Sequence, residues 1–335
     1  MKKTSLLISI VLCSSMFGQS DKSTVLAEIS EKIKQNYIDE KVFKSVDSLF
    51  QNEGASENFN SLNEKDFAEN LTQKLRNVTK DKHFFVKYLE NYTPEKKINE
   101  KENEKLNNFH NSLENFGFEK AERLAGNIGY LNYKGFAEPK SSEKALEAAM
   151  NFVANTNSLI IDLRENGGGD NGMLLLFCSY FFDKKTELYT TYFRNSGKTV
   201  KNNTQSEVSG KKYLNKSIYF LTSSNTFSAG EALAYFLQER KLATVIGEKT
   251  GGAANPVDPF FIQNKYMLLI PDGKITSTIS GKNWEHTGVI PDENVNVETA
   301  LKTAYLLALK SIVNTKTKTD LSEAEIKNLI IKLEQ

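Results

Sequence analysis

Ser217-Ile218-Tyr219-Phe220-Leu221-Thr222 runs, through Ser223 and Ser224, into Asn225-Thr226-Phe227-Ser228-Ala229-Gly230-Glu231. The first six residues are an apolar run that reads as a strand, and Glu231 to Gln238 reads as a helix. A serine on a strand-to-helix turn is held where its hydroxyl can project into a cleft. The N–H of the following residue, at the helix N-terminus, is then free to bind an oxyanion. The turn is not a Gly-x-Ser-x-Gly elbow, because Thr226 occupies the first glycine position. A serine before a helix also serves as a simple N-cap, so the turn alone decides nothing.

Outward from this turn, strand and helix alternate. Ile128 to Tyr133 reads as a strand, Ser141 to Ala154 as an amphipathic helix, and Ser158 to Leu163 as a buried strand. Gly167-Gly168-Gly169 follows, then a largely buried helix from Gly172 to Phe182 and a strand from Glu187 to Phe193. Ala243 to Gly247 and Tyr266 to Ile270 are further strands, the latter closed by the turn signal Pro271-Asp272-Gly273. Helices end the chain at Val297 to Val313 and Leu321 to Leu333. Alternation of this kind predicts an α/β core. The stretch from Asp21 to about Lys82 is helical instead, with Val25, Ile29 and Ile33 on one face and Phe67, Leu71 and Leu75 on another. Gly54 to Asn60 is a polar loop within it. The predicted organisation is a signal peptide over 1–20, a helical subdomain over 21–95, a charged connector over 96–125, the core over 126–315 and a terminal helix over 316–335.

Basic and acidic side chains number 43 and 42, so no electrostatic footprint for nucleic acid is expected. Met1-Lys2-Lys3, the apolar stretch Leu6 to Leu12 and Gly18-Gln19-Ser20 form a signal-peptide pattern too short for a permanent membrane span. Leu12 before Cys13 disfavours lipidation. Removing the leader leaves Cys178 alone, so no internal disulfide forms. The expected location is periplasmic or extracellular.

A serine nucleophile needs a base, and neutral imidazole serves near pH 7. The histidines are His83, in Asp81-Lys82-His83-Phe84; His110, in a polar region; and His286, after Glu285. No His or Cys spacing suits a metal, and none is expected. Gly168 and Gly169 can turn N–H groups into a cleft. Glu285 is a carboxylate able to hold the far side of an imidazole. Lys249 is a rival base, but Glu248 beside it works against deprotonation. Gly167-x-Gly169-x-x-Gly172 also matches a dinucleotide fingerprint. Against that reading, Leu163-Arg164-Glu165-Asn166 separates strand from glycine, and Glu187 begins the second strand rather than ending it. No cofactor is expected.

Several segments resemble the S41 peptidases, the tail-specific or C-terminal-processing family. They are Leu159 to Gly169, the nucleophile-like Ser228-Ala229-Gly230-Glu231-Ala232, Val245 to Asn255, and Trp284-Glu285-His286-Thr287-Gly288-Val289-Ile290-Pro291-Asp292. Asp81-Lys82-His83 resembles the Asp-x-His of the branch related to the tricorn core and the interphotoreceptor retinoid-binding protein modules. The resemblance implies a crotonase/ClpP-like α/β core behind a small helical subdomain. It implies a peptide-hydrolysing site with Ser228 as nucleophile, His83 as base, Glu285 completing the site, and Gly168, Gly169 and Ala229 as oxyanion donors. The partner implied is a peptide or protein substrate. Thr250-Gly251-Gly252-Ala253 lacks the lysine of the Ser–Lys branch, Lys82 stands where the tricorn-type site has a serine, and Tyr88 to Leu124 is too short for a PDZ domain. The alternative is a non-catalytic module that binds an apolar ligand in the same cleft.

Overall fold

The computed structural model describes residues 22–54, 61–90 and 100–335. The expected leader over 1–20 and the polar loop beyond Gly54 lie outside the described residues. Among these residues no helix is long and apolar enough to cross a membrane.

The chain begins with α1 (Lys22–Asn36), α2 (Phe43–Gly54) and α3 (Glu64–Thr79). Val25, Leu26, Ile29 and Ile33 of α1 and Phe67, Leu71 and Leu75 of α3 are buried, as a 3.6-residue period requires. Asn63 caps α3 by accepting the Asp66 N–H, and Lys80 ends it in the left-handed conformation. The chain then turns through residues 81–84 into the short strand β1 (Phe85–Tyr88).

Next come α4 (Glu100–Leu113), β2 (Phe118–Leu124), β3 (Ile128–Tyr133), α5 (Pro139–Val153), β4 (Ser158–Asp162) and α6 (Asn171–Ser179). They are followed by β5 (Glu187–Phe193), β6 (Lys198–Asn203), β7 (Ser217–Thr222), α7 (Ala229–Gln238) and β8 (Thr244–Gly247). The last elements are β9 (Val257–Ile262), β10 (Tyr266–Pro271), β11 (Gly273–Ser277), β12 (Glu293–Asn294), α8 (Ala300–Thr315) and α9 (Glu323–Glu334).

The central sheet has the order β12-β8-β7-β4-β3-β2, parallel except for the antiparallel edge β2. This order follows the chain without reversal. Right-handed crossovers then place every connecting helix on one face. Leu159 and Ile161 of β4 accordingly pack in one core with Leu146 and Met150 of α5, Phe177 of α6 and Phe236 of α7. Ile160, Tyr219, Leu221 and Ile246 face the other way, against Ala304, Ala308 and Ile312 of α8 and Ile326 of α9. Every residue of β4 is buried, which is why that strand reads as a continuous apolar run.

One pairing runs across the expected domain boundaries. β1 pairs antiparallel with β10, Phe85 opposite Leu269, and β10 pairs with β9. Ile262, Tyr266, Leu268 and Ile270 share a core with the N-terminal helices. Residues 257–271, expected inside the core domain, thus belong physically to the helical subdomain. Residues 118–124, expected in a connector, form the edge of the central sheet.

Candidate active site

The loops that leave the carboxyl ends of β4, β7 and β8 meet at one place, where ligands of parallel sheets bind. After β7 the chain is tied to the β4 loop. The Thr226 hydroxyl donates to the Leu163 carbonyl at 2.8 Å, and the Phe227 N–H donates to the Asn166 carbonyl at 2.9 Å. Ser228 then adopts φ 50° and ψ −117°, outside the extended region of an ordinary N-cap. Such backbone costs about 1–3 kcal/mol and persists only where its surroundings enforce it. Glu231, fully buried in the first turn of α7, supplies that enforcement. Its carboxylate accepts the N–H groups of Ser228 at 2.9 Å, Gly252 at 2.6 Å and Ala253 at 2.9 Å, and the Thr250 hydroxyl. Burial pushes the Glu231 pKa up, and these four donors pull against it.

Asn166, also fully buried, shapes the glycine loop. Its amide donates to the Tyr133 carbonyl at 2.8 Å, and its Oδ1 accepts the Gly168 N–H at 2.9 Å. The Gly168 N–H is therefore engaged. Gly168, at φ +89°, lies so close to the turn that an added Cβ would sit 2.7 Å from Ser228 Cβ. Gly169 is exposed at φ +135°. The N–H groups of Gly169 and Ala229 have no acceptor among the described residues, the latter because it opens α7. Asp170 caps α6 with its own carboxylate on the Met173 N–H at 2.9 Å. A dinucleotide phosphate at that helix terminus would meet like charge.

Ser228, Ala229, Gly169 and His83 line one cleft of about 480 Å³, together with Leu174, Tyr189, Asn255, Val257, Ile275 and Trp284. His83 comes from the helical subdomain. The left-handed Lys80 turns Asp81 inward, and the Asp81 carboxylate accepts the His83 main-chain N–H at 3.0 Å. The Lys82 ammonium donates to the Gly251 carbonyl at 2.7 Å and pins this segment to the core. The His83 ring stands edge-on to Phe227, centroids 5.0 Å apart. Burial, with the Arg76 guanidinium next, holds its imidazole pKa down to about 4, so the ring is neutral at neutral pH. His286 is half-exposed, with Nδ1 3.1 Å from the Lys80 carbonyl oxygen, and His110 is exposed on α4. Neither lines the cleft. Lys249 faces solvent and does not line the cleft.

Glu285 lies behind the cleft wall. Its Oε2 accepts the N–H groups of Ala254 at 2.7 Å and Asn255 at 2.9 Å. Trp284 Nε1–H donates to the Ala253 carbonyl at 3.0 Å, so the Trp-Glu pair fastens the loop after β8. Burial, then the charge of Asp81, pushes the Glu285 pKa up to about 8. Asp81 is fully buried, and burial raises its pKa too, against the donors around it. Sequence reasoning passed over Asp81, Asn166 and Glu231 as site residues. The one available signal was their place inside the quoted motifs.

The profile of Peptidase family S41 matches residues 127–295, half of the chain, and the chain belongs to that family. Among curated proteins it is similar to the chloroplastic carboxyl-terminal-processing peptidase 2 of Arabidopsis thaliana, 26% identical over 49% of this chain. That match spans 31%, about a third, of the plant protein. A putative peptidase from Parabacteroides merdae shares the fold, with TM-score 0.58 and 19% identity over 86% of this chain and 96% of its own. The tricorn protease shares it with TM-score 0.52 and 14% identity, over 94% of this chain and 37% of its own.

Proposed function

We propose that this chain is an exported serine peptidase. One observation carries the reading: a serine on a strained turn and a neutral buried imidazole open into the same cleft beside two main-chain N–H groups with no acceptor among the described residues. Ser228 Oγ attacks a peptide carbonyl while His83 Nε2 takes its proton, then returns it to the leaving amine. The N–H groups of Gly169 and Ala229 hold the oxyanion, and loss of one such donor costs about 10²–10³ in rate. Glu285 supports the base side of the site. The family membership and the apolar lining of the cleft support a peptide substrate.

Ser228→Ala and His83→Ala are each expected to abolish peptide hydrolysis with an unchanged circular dichroism spectrum. Full activity in either variant refutes the assignment. A folded wild-type protein that never reacts with a serine-directed fluorophosphonate would favour the apolar-ligand module instead. The basic start and short apolar stretch of residues 1–12 support export. The mature N-terminus is expected just beyond Ser20, and mass spectrometry of the exported protein checks this.

A further inference from the structure

His83 Nδ1, Asn255 Oδ1 and Glu285 Oε1 are buried and find no hydrogen-bond partner among the described residues. Each belongs to a side chain that interacts with Asp81. We propose that Asp81 is the positioning residue for the His83 imidazole, and that Glu285 reaches the ring only through Asp81. The proposal rests on the peptidase reading above and deepens it.

The geometry singles out Asp81. Its Oδ1 lies 3.7 Å from His83 Nδ1 and already accepts the His83 main-chain N–H at 3.0 Å. Ring and carboxylate are therefore on the same side of the turn, and a closure of under an ångström makes the bond. Catalytic hydrogen bonds are commonly long before substrate binds. Lys82 points away, to Gly251. The Glu285 carboxylate contacts Ala254, Asn255 and the His286 ring, not His83. Asp81 itself is held from several elements. Tyr37, just past α1, lies 3.5 Å from Oδ2 through its hydroxyl, and the Asn255 amide donates to the carboxylate. The charged groups that face it are Arg76 from α3 and Glu285 and His286 from the core loops.

The role follows from proton bookkeeping. With Nδ1–H directed at Asp81, the lone pair of the neutral ring is on Nε2, towards the cleft. When Ser228 Oγ bonds to the carbonyl carbon, its proton passes to Nε2 and the positive charge of the imidazolium faces the Asp81 carboxylate. Asp81 takes no proton from the ring in this step. Without that carboxylate the ring can take the other tautomer, which cannot accept a proton from the serine.

Nitrogen NMR of protein labelled with ¹⁵N-histidine reads the tautomer directly, the His83 signal being assigned by its loss in His83→Ala. Wild type is expected to carry its proton on Nδ1. Asp81→Asn, which keeps an acceptor for the main-chain N–H, is expected to shift the ring to the Nε2–H form. Its fluorophosphonate labelling rate should fall by roughly 10³–10⁴-fold, with an unchanged circular dichroism spectrum. Glu285→Gln should leave the tautomer alone and slow labelling less. An Nε2–H ring in the wild type, or a larger effect from Glu285→Gln than from Asp81→Asn, overturns the proposal; the first needs no variant to fold. A wild-type ring with Nδ1–H that inverts in Asp81→Asn, in a protein that never labels, would sink the peptidase reading and leave the positioning role standing.

Discussion

At the scale of single residues, burial decides the chemistry of the site. His83 and Glu285 are both shifted toward their neutral forms, and the two shifts change stability in opposite directions as pH rises. The His83 pKa is lowered, to about 4 from an ordinary 6.5. The unfolded chain therefore takes up the proton first, and stability falls as pH drops from 6.5 towards 4. The Glu285 pKa is raised, to about 8 from 4.5. Its contribution is present below 4.5 and is lost as pH rises through 8. Glu285→Gln keeps an oxygen for the Ala254 and Asn255 N–H groups and removes the titration. The melting temperature of that variant relative to wild type is expected to climb steadily between about pH 5 and pH 8, measured by thermal denaturation at closely spaced pH values. A difference independent of pH would mean that Glu285 is ionised in the fold.

At the scale of elements, the Ser228 turn is a junction of three loops rather than the end of one helix. The β7 loop hangs on the β4 loop through Thr226 and Phe227, and on the β8 loop through Glu231. Gly168 is the point of closest approach, and two effects oppose a side chain there: φ +89° and the contact with Ser228. Gly168→Ala is expected to cost on the order of 1–3 kcal/mol. It should also abolish labelling of Ser228, because the turn must shift to admit the methyl group. Denaturant unfolding gives the first quantity and fluorophosphonate labelling the second. The segmentation of β4, β7, β8 and α7 was legible, because strands buried on both faces leave continuous apolar runs closed by glycine or serine turns. The engagement of the Gly168 N–H was not. It depends on where the Asn166 side chain turns, and Asn166 carries no periodic or compositional mark.

At the scale of the whole molecule, the proposed base and the proposed nucleophile come from different bodies. His83 belongs to the N-terminal helices with β9 and β10, and Ser228 to the central sheet. Their alignment depends on how the two bodies are joined. Arg194, just past β5, is one clamp. Its guanidinium donates to the Tyr37 carbonyl at 2.6 Å, pairs with Glu40 at 3.1 Å and stacks on Phe43, and its N–H reaches the Asp272 carbonyl at 3.0 Å. Arg194→Ala removes the side-chain contacts and leaves the central sheet untouched. Faster hydrogen exchange confined to α1 and α2 is the expected result, along with a fall in kcat at nearly constant KM. Equal protection in wild type and variant would show that the shared apolar core holds the bodies together unaided.

What the amino-acid order determined by itself was local: the α/β alternation, the serine turn, the glycine loop and the motifs that resemble the S41 peptidases. Each is written in contiguous residues whose hydrophobic period or turn chemistry is self-contained. Only the tertiary structure decided that β1 pairs with β10, that Asp81 and Glu285 are buried near one another, and that the N–H groups of Gly169 and Ala229 meet no acceptor among the described residues. Those outcomes come from side chains far apart in the chain competing for the same few donors and acceptors. Burial settles that competition by removing water as the alternative partner.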